Sequence, residues 1–137
     1  MKKIIAILLL SAPLLAHSQE LNITTDTTAI ENKFSAALDK ANSDIESAMA
    51  VGDAMTSYDK LLNKYYNACL KKLTGTQKTN LINAQKAWIA FRNSEFKYID
   101  KKYTGGPGSG VAFAASDKLD FVKSRVIELF NHWEMIV

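Results

Sequence analysis

Apolar residues recur along most of this chain at spacings of three and four, the period of a helix with one face turned inward. Ile30, Phe34, Ala37, Leu38, Ala41 and Ile45 follow that period. Thr28 with Glu31 can form a capping box ahead of them, and Ser43 with Glu46 a second one, which predicts a break near Asn42. A second segment places Val51, Met55, Tyr58, Leu62, Tyr66, Cys69 and Leu73 on one face. Gly75 supplies a stop and Thr76 a cap for a third helix from about Gln77 to Lys101. The last helix starts at Ala112 or Ser116, runs to Trp133, and carries Ala115, Leu119, Val122, Val126, Leu129 and Trp133 on one side. No stretch alternates like a strand. The pattern predicts an all-α fold: a small antiparallel bundle of three to four helices, with a Gly-rich loop from Tyr103 to Gly110 before the last one.

The first 18 residues follow a different pattern. Lys2 and Lys3 precede an apolar run from Ile4 to Leu15 broken by Ser11 and Pro13, and Ala16 and Ser18 supply small residues ahead of Gln19. That order predicts a secretory signal peptide cleaved after Ser18 and a periplasmic or secreted protein. The run is shorter than the roughly 20 residues a spanning helix needs, and no Cys follows it to accept a lipid. The remaining organisation is a polar lead over 19–27 and one helical domain over 28–137.

Cleavage changes the charge. The whole chain has 17 basic and 14 acidic residues, and losing Lys2 and Lys3 takes the net from +3 to +1. No dense Lys/Arg cluster marks a nucleic-acid footprint. Cys69 is the only cysteine, so it reads either as a thiol that pairs with another chain or, favoured by its place on an apolar stripe, as a small buried hydrophobe.

Two polar residues interrupt the stripe of the third helix. Leu81, Gln85, Trp88, Ile89, Arg92, Phe96 and Ile99 fall within about 60° of one direction, with Gln85 and Arg92 near its middle. A buried guanidinium needs an acceptor, and Asp59, beside Asn63 and Tyr66 on the second helix, is the expected partner. These residues read either as a polar ligand site or as a cross-link between two helices. With no His, Cys or second carboxylate among them, the cross-link is the preferred reading.

The same residues carry a family likeness. Asp59-x-x-Leu62-Asn63-x-x-Tyr66, followed by Leu81-x-x-x-Gln85-x-x-Trp88-x-x-x-Arg92, resembles the LprI-like lysozyme-inhibitor N-terminal domain family. Gly105-Gly106 and Arg125 match its later elements, so the likeness spans about Ser43 to Phe130. It implies a small helical envelope or secreted domain, with lysozyme inhibition attributed to the member that named the family. Family members usually have Cys where this chain has Phe96, another near Asp117, and an earlier one near the start of the second helix. The disulfide framework those cysteines imply is absent, and Phe96 suggests apolar packing instead.

Catalytic patterns are scarce. After cleavage the single His is His132, and no zinc-site spacing, nucleophile elbow or phosphate-binding loop is present. No enzymatic activity, cofactor or metal is expected. The resemblance implies one binding function, and a second stays open beside it. One is an inhibitor of a lysozyme-type muramidase, with the loop bearing Tyr103, Gly105, Gly106, Pro107 and Ser109 as the element that meets its protein partner. The other is an envelope interaction or stress module, including an immunity-type protein that neutralises another secreted toxin.

Overall fold

The computed structural model describes residues 21–104 and 110–136, so the signal-peptide segment lies outside the described residues. Four helices account for nearly all of them: α1 (Ile23–Leu38), α2 (Asp44–Lys72), α3 (Gly75–Lys102) and α4 (Val111–Met135). No strand occurs among the described residues.

Two helix starts differ from the sequence reading. α1 begins inside the expected polar lead, because the Asn22 side chain accepts from the Thr25 N–H at 2.9 Å and caps the helix there. Thr28 is therefore interior, its hydroxyl donating back to the Thr24 carbonyl at 2.7 Å. Likewise α3 starts at Gly75 rather than being capped by Thr76. Gly75 adopts φ +52°, a left-handed turn that a glycine makes without Cβ strain, and this reverses the chain after only Leu73 and Thr74. At α2 the expected cap is present: Ser43 Oγ accepts from Glu46 N at 3.2 Å, and the Glu46 carboxylate accepts from Asn42 N at 2.6 Å.

Consecutive helices run antiparallel, so α2 and α4 point the same way. Their mutual interface is the largest in the molecule. Val51, Tyr58, Leu62, Tyr65 and Cys69 of α2 face Leu119, Val122, Val126, Leu129 and Phe130 of α4, all buried. Tyr65 and Phe130 rings lie 5.5 Å apart, and the Cys69 thiol donates to the Leu129 carbonyl at 3.3 Å. Burial pushes that thiol's pKa up, in keeping with an inert packed side chain.

The α2 stripe is wider than its expected face. Tyr65, Ala54 and Leu61 are buried, whereas Tyr66 and Met55 are only half-buried. The reason is that α2 packs on two neighbours at once, α4 on one side and α1 on the other. α1 has no buried residue of its own and lays Ile30 and Phe34 over the core. α3 sits outermost against α4, with only Gln85 and Ile99 buried along its 28 residues.

Candidate functional site

Arg125, from the last helix, is the buried guanidinium of this protein. Its side chain is 6% exposed, against 25% for Arg92. Nε and Nη2 donate to Gln85 Oε1 at 3.1 and 2.8 Å, and Nη1 pairs with the Glu128 carboxylate at 2.7 Å one turn along α4. The Arg125 guanidinium carbon also lies 5.6 Å from the centre of the Trp88 ring. Gln85 is therefore buried, as its place in the stripe requires, but its partner is Arg125.

Arg92 does not occupy the expected buried pair. Its Nη1 stands 3.7 Å from Asp59 Oδ1, so the two residues meet, but at a partly exposed edge where Asp59 is 45% exposed. Its Nη2 and Nε donate to the neighbouring Asn93 side chain, at 3.3 and 3.4 Å. The guanidinium lies over the rings of Trp88 and Phe96, 5.4 and 5.7 Å from their centres. The physical reason is the position of α3. It leans on α4 rather than closing against α2, so its α4-facing side is enclosed and its α2-facing side is not. Asn63 is exposed and bonds the Asp59 carbonyl of its own helix at 2.9 Å, while Tyr66 packs half-buried against the core.

Thus Gln85, Trp88, Arg92 and Arg125 come together, Asp59 borders them, and Asn63 and Tyr66 remain on α2. An aromatic cluster completes the contact: Phe121 of α4 receives Trp88 at 5.8 Å, Phe91 at 5.4 Å and Phe96 at 6.2 Å. Phe96 thereby makes the apolar packing expected at the position where the family likeness implied a cysteine. Near the next such position, Asp117 accepts from Tyr103 Oη at 2.8 Å and Lys102 Nζ at 3.0 Å, tying the end of α3 to the start of α4. These two bonds hold the Asp117 carboxyl below its ordinary range.

Of the candidate loop, Gly105, Gly106, Pro107 and Ser109 lie outside the described residues. Tyr103 stacks on Phe113 with ring centres 6.2 Å apart. On the far side of the connection, a Cβ at Gly110 would fall 2.8 Å from that of Tyr103 and 2.9 Å from its carbonyl oxygen, so only glycine fits this close approach.

The sequence reading missed a second polar set that fastens α1. Tyr58 donates to the Glu31 carboxylate, which also pairs with Lys123 of α4 at 2.8 Å. Tyr65 and Lys64 both donate to Asp26 at 2.8 Å. Burial and the adjacent carboxylates push both tyrosine pKa values well above the ordinary range. Burial alone would raise Glu31, but its bonds from Lys123 and Tyr58 outweigh it and leave the pKa lowered. Two tyrosines one heptad apart beside an apolar stripe were the available signal, since a buried hydroxyl needs a partner.

What these contacts define is a helical domain whose partly buried polar residues engage one another, cross-linking α3 to α4 and α1 to α2. Among the described residues, no three His, Cys, Asp or Glu side chains gather as metal ligands would. Residues 35–129 match the family model described as Lysozyme inhibitor LprI, and the chain belongs to that family. No curated protein and no solved structure matches the chain.

Proposed function

We propose that this chain is an exported, non-catalytic protein that binds and inhibits a lysozyme-type muramidase. Membership of the LprI family over residues 35–129 carries this reading. The geometry supports a binder in that Gln85, Arg125, Asp59 and Arg92 are engaged with one another and not aimed into a cleft. The helices supply a frame, and the partner-facing part is the end of the bundle where α3 gives way to α4, around Tyr103 and the glycine-rich connection. Export rests on the basic, apolar and small-residue order of residues 1–18. No helix among the described residues is long and apolar enough to cross a membrane.

Inhibition assays against a panel of purified muramidases test the activity, with loss of cell-wall hydrolysis expected for at least one of them. Absence of inhibition across the panel, together with capture of a different envelope protein, would replace this reading with that of an interaction or immunity-type module. Mass spectrometry of the exported protein tests the leader, with a chain beginning at Gln19 expected. A soluble envelope form retaining Met1 would refute cleavage.

A further inference from the structure

Among the described helices, α1 alone has no buried residue. It rests on the core through the half-buried Ile23, Ile30 and Phe34, while the buried Leu21 precedes it. Its closure over α2 is incomplete. A void of about 20 Å³, room for one water, remains between Ile30, Phe34 and Ala37 on one side and Ala50 and Ala54 on the other.

Polar contacts supply the rest of the attachment. Two carboxylates of α1 meet four donors on the face made by α2 and α4. Asp26 accepts from Tyr65 Oη and Lys64 Nζ, each at 2.8 Å, and Glu31 accepts from Tyr58 and pairs with Lys123 at 2.8 Å. Both tyrosines are buried. With α1 lifted away, their hydroxyls and the two ammonium groups would stand as a row of donors without acceptors, beside Ala50 and Ala54. Buried donors left unmatched are costly, and bonds to charged acceptors are among the stronger ones. Whatever covers this face must therefore bring carboxylates at matching spacing with apolar residues between them. That is the description of an acidic amphipathic helix.

The joint lets α1 leave without disturbing α2. Residues 39–43 connect the two helices, and α2 is capped from within that segment, Ser43 Oγ accepting from Glu46 N and the Glu46 carboxylate from Asn42 N. The start of α2 is thus fixed with or without its neighbour. Asp26, Ile30, Glu31 and Phe34, which make these contacts of α1, all precede residue 35, where the family match begins. The matched part supplies the face, and the segment ahead of it supplies the cover.

We infer that α1 is a displaceable strap and that the α2–α4 face beneath it is a docking groove for an acidic amphipathic helix, a groove that α1 itself fills in this structure. This goes beyond the inhibitor reading and does not depend on it. Hydrogen exchange of the intact chain tests the strap. The amides of α1 should exchange at least about tenfold faster than those of the α2–α4 seam, opening as a unit while the seam stays closed. Asp26→Ala/Glu31→Ala removes both acceptors while keeping helix propensity, so exchange of α1 should quicken at least about tenfold further with that of α4 unchanged. A labelled peptide of residues 21–40 tests the groove. It should bind the double variant, whose own α1 is loosened, at least about tenfold more tightly than it binds wild type. The same peptide carrying both alanines should bind neither protein.

Equal protection of α1 and α4 in the wild type, or loss of protection in all four helices of the variant, would make α1 an integral part of the core and overturn the proposal. A peptide that binds wild type and variant equally, fails to bind the variant, or binds as well without its carboxylates would overturn the groove.

Discussion

Along the α2–α4 seam the enclosed side chains are aliphatic or aromatic apart from the Cys69 thiol, whereas α3 encloses only Gln85 and Ile99. The seam is held by area removed from water, at roughly 25 cal/mol per Å². α3 is held by a ring cluster around Phe121 and by one buried guanidinium. The two modes fail differently. Trimming the seam leaves a void, and trimming the α3 contact leaves a polar group without a partner. The two arginines show the same contrast at smaller scale, since burial and not residue type sets what each contributes.

The largest effect is expected in the seam. Leu129→Ala, at a fully buried position, should cost about 4 kcal/mol in denaturant unfolding through lost transfer energy and a cavity. A loss near 1 kcal/mol would mean that α4 relaxes onto α2 and the seam is less tightly packed than its burial implies. Next comes the polar anchor of α3. Arg125→Ala leaves Gln85 Oε1 buried without a donor and should cost about 3 kcal/mol. Combined with Gln85→Ala, the loss should be clearly less than additive, and an additive cycle would separate the two residues energetically.

Arg92→Ala sharpens the comparison from the other side. Its partly exposed pair with Asp59 at 3.7 Å should contribute less than about 1 kcal/mol, most of what is lost being contact with Trp88 and Phe96. Destabilisation as large as that of Arg125→Ala would show α3 closing on α2 in solution. The smallest effect belongs to α1. Glu31 has a lowered folded pKa, so its ionised form adds stability above the unfolded carboxylate range. That contribution disappears as pH falls through the folded value. Because Glu31 is 43% exposed, we expect only a few tenths of a kcal/mol. Glu31→Gln should therefore give a slightly shallower acid limb in stability against pH, and an unchanged limb would remove Glu31 from the α1 clamp.

Much of the architecture was legible in the order of residues. The helical period of Leu119, Val122, Val126 and Leu129 marks the buried face of α4 because a helix presents every third or fourth side chain to one side. Ser43 with Glu46 marks a helix start because their bonds are local. The burial of Gln85 and Cys69 follows from their place in a stripe. Local rules also erred where two local solutions compete: Asn22 outcompetes Thr28 as a cap, and Gly75 turns the chain before Thr76 can act.

Partnership across helices was not legible, because sequence spacing constrains neighbours within a helix and says little about which helix comes to lie opposite. Arg125 sits 40 residues from Gln85 and Tyr65 sits 39 from Asp26. Which arginine is buried was decided when α3 settled on α4 and left its α2-facing edge open, placing Arg125 inside and Arg92 at the rim. The order of residues thus determined the helices and their apolar faces through short-range geometry. The pairing of those faces was decided only by packing in three dimensions.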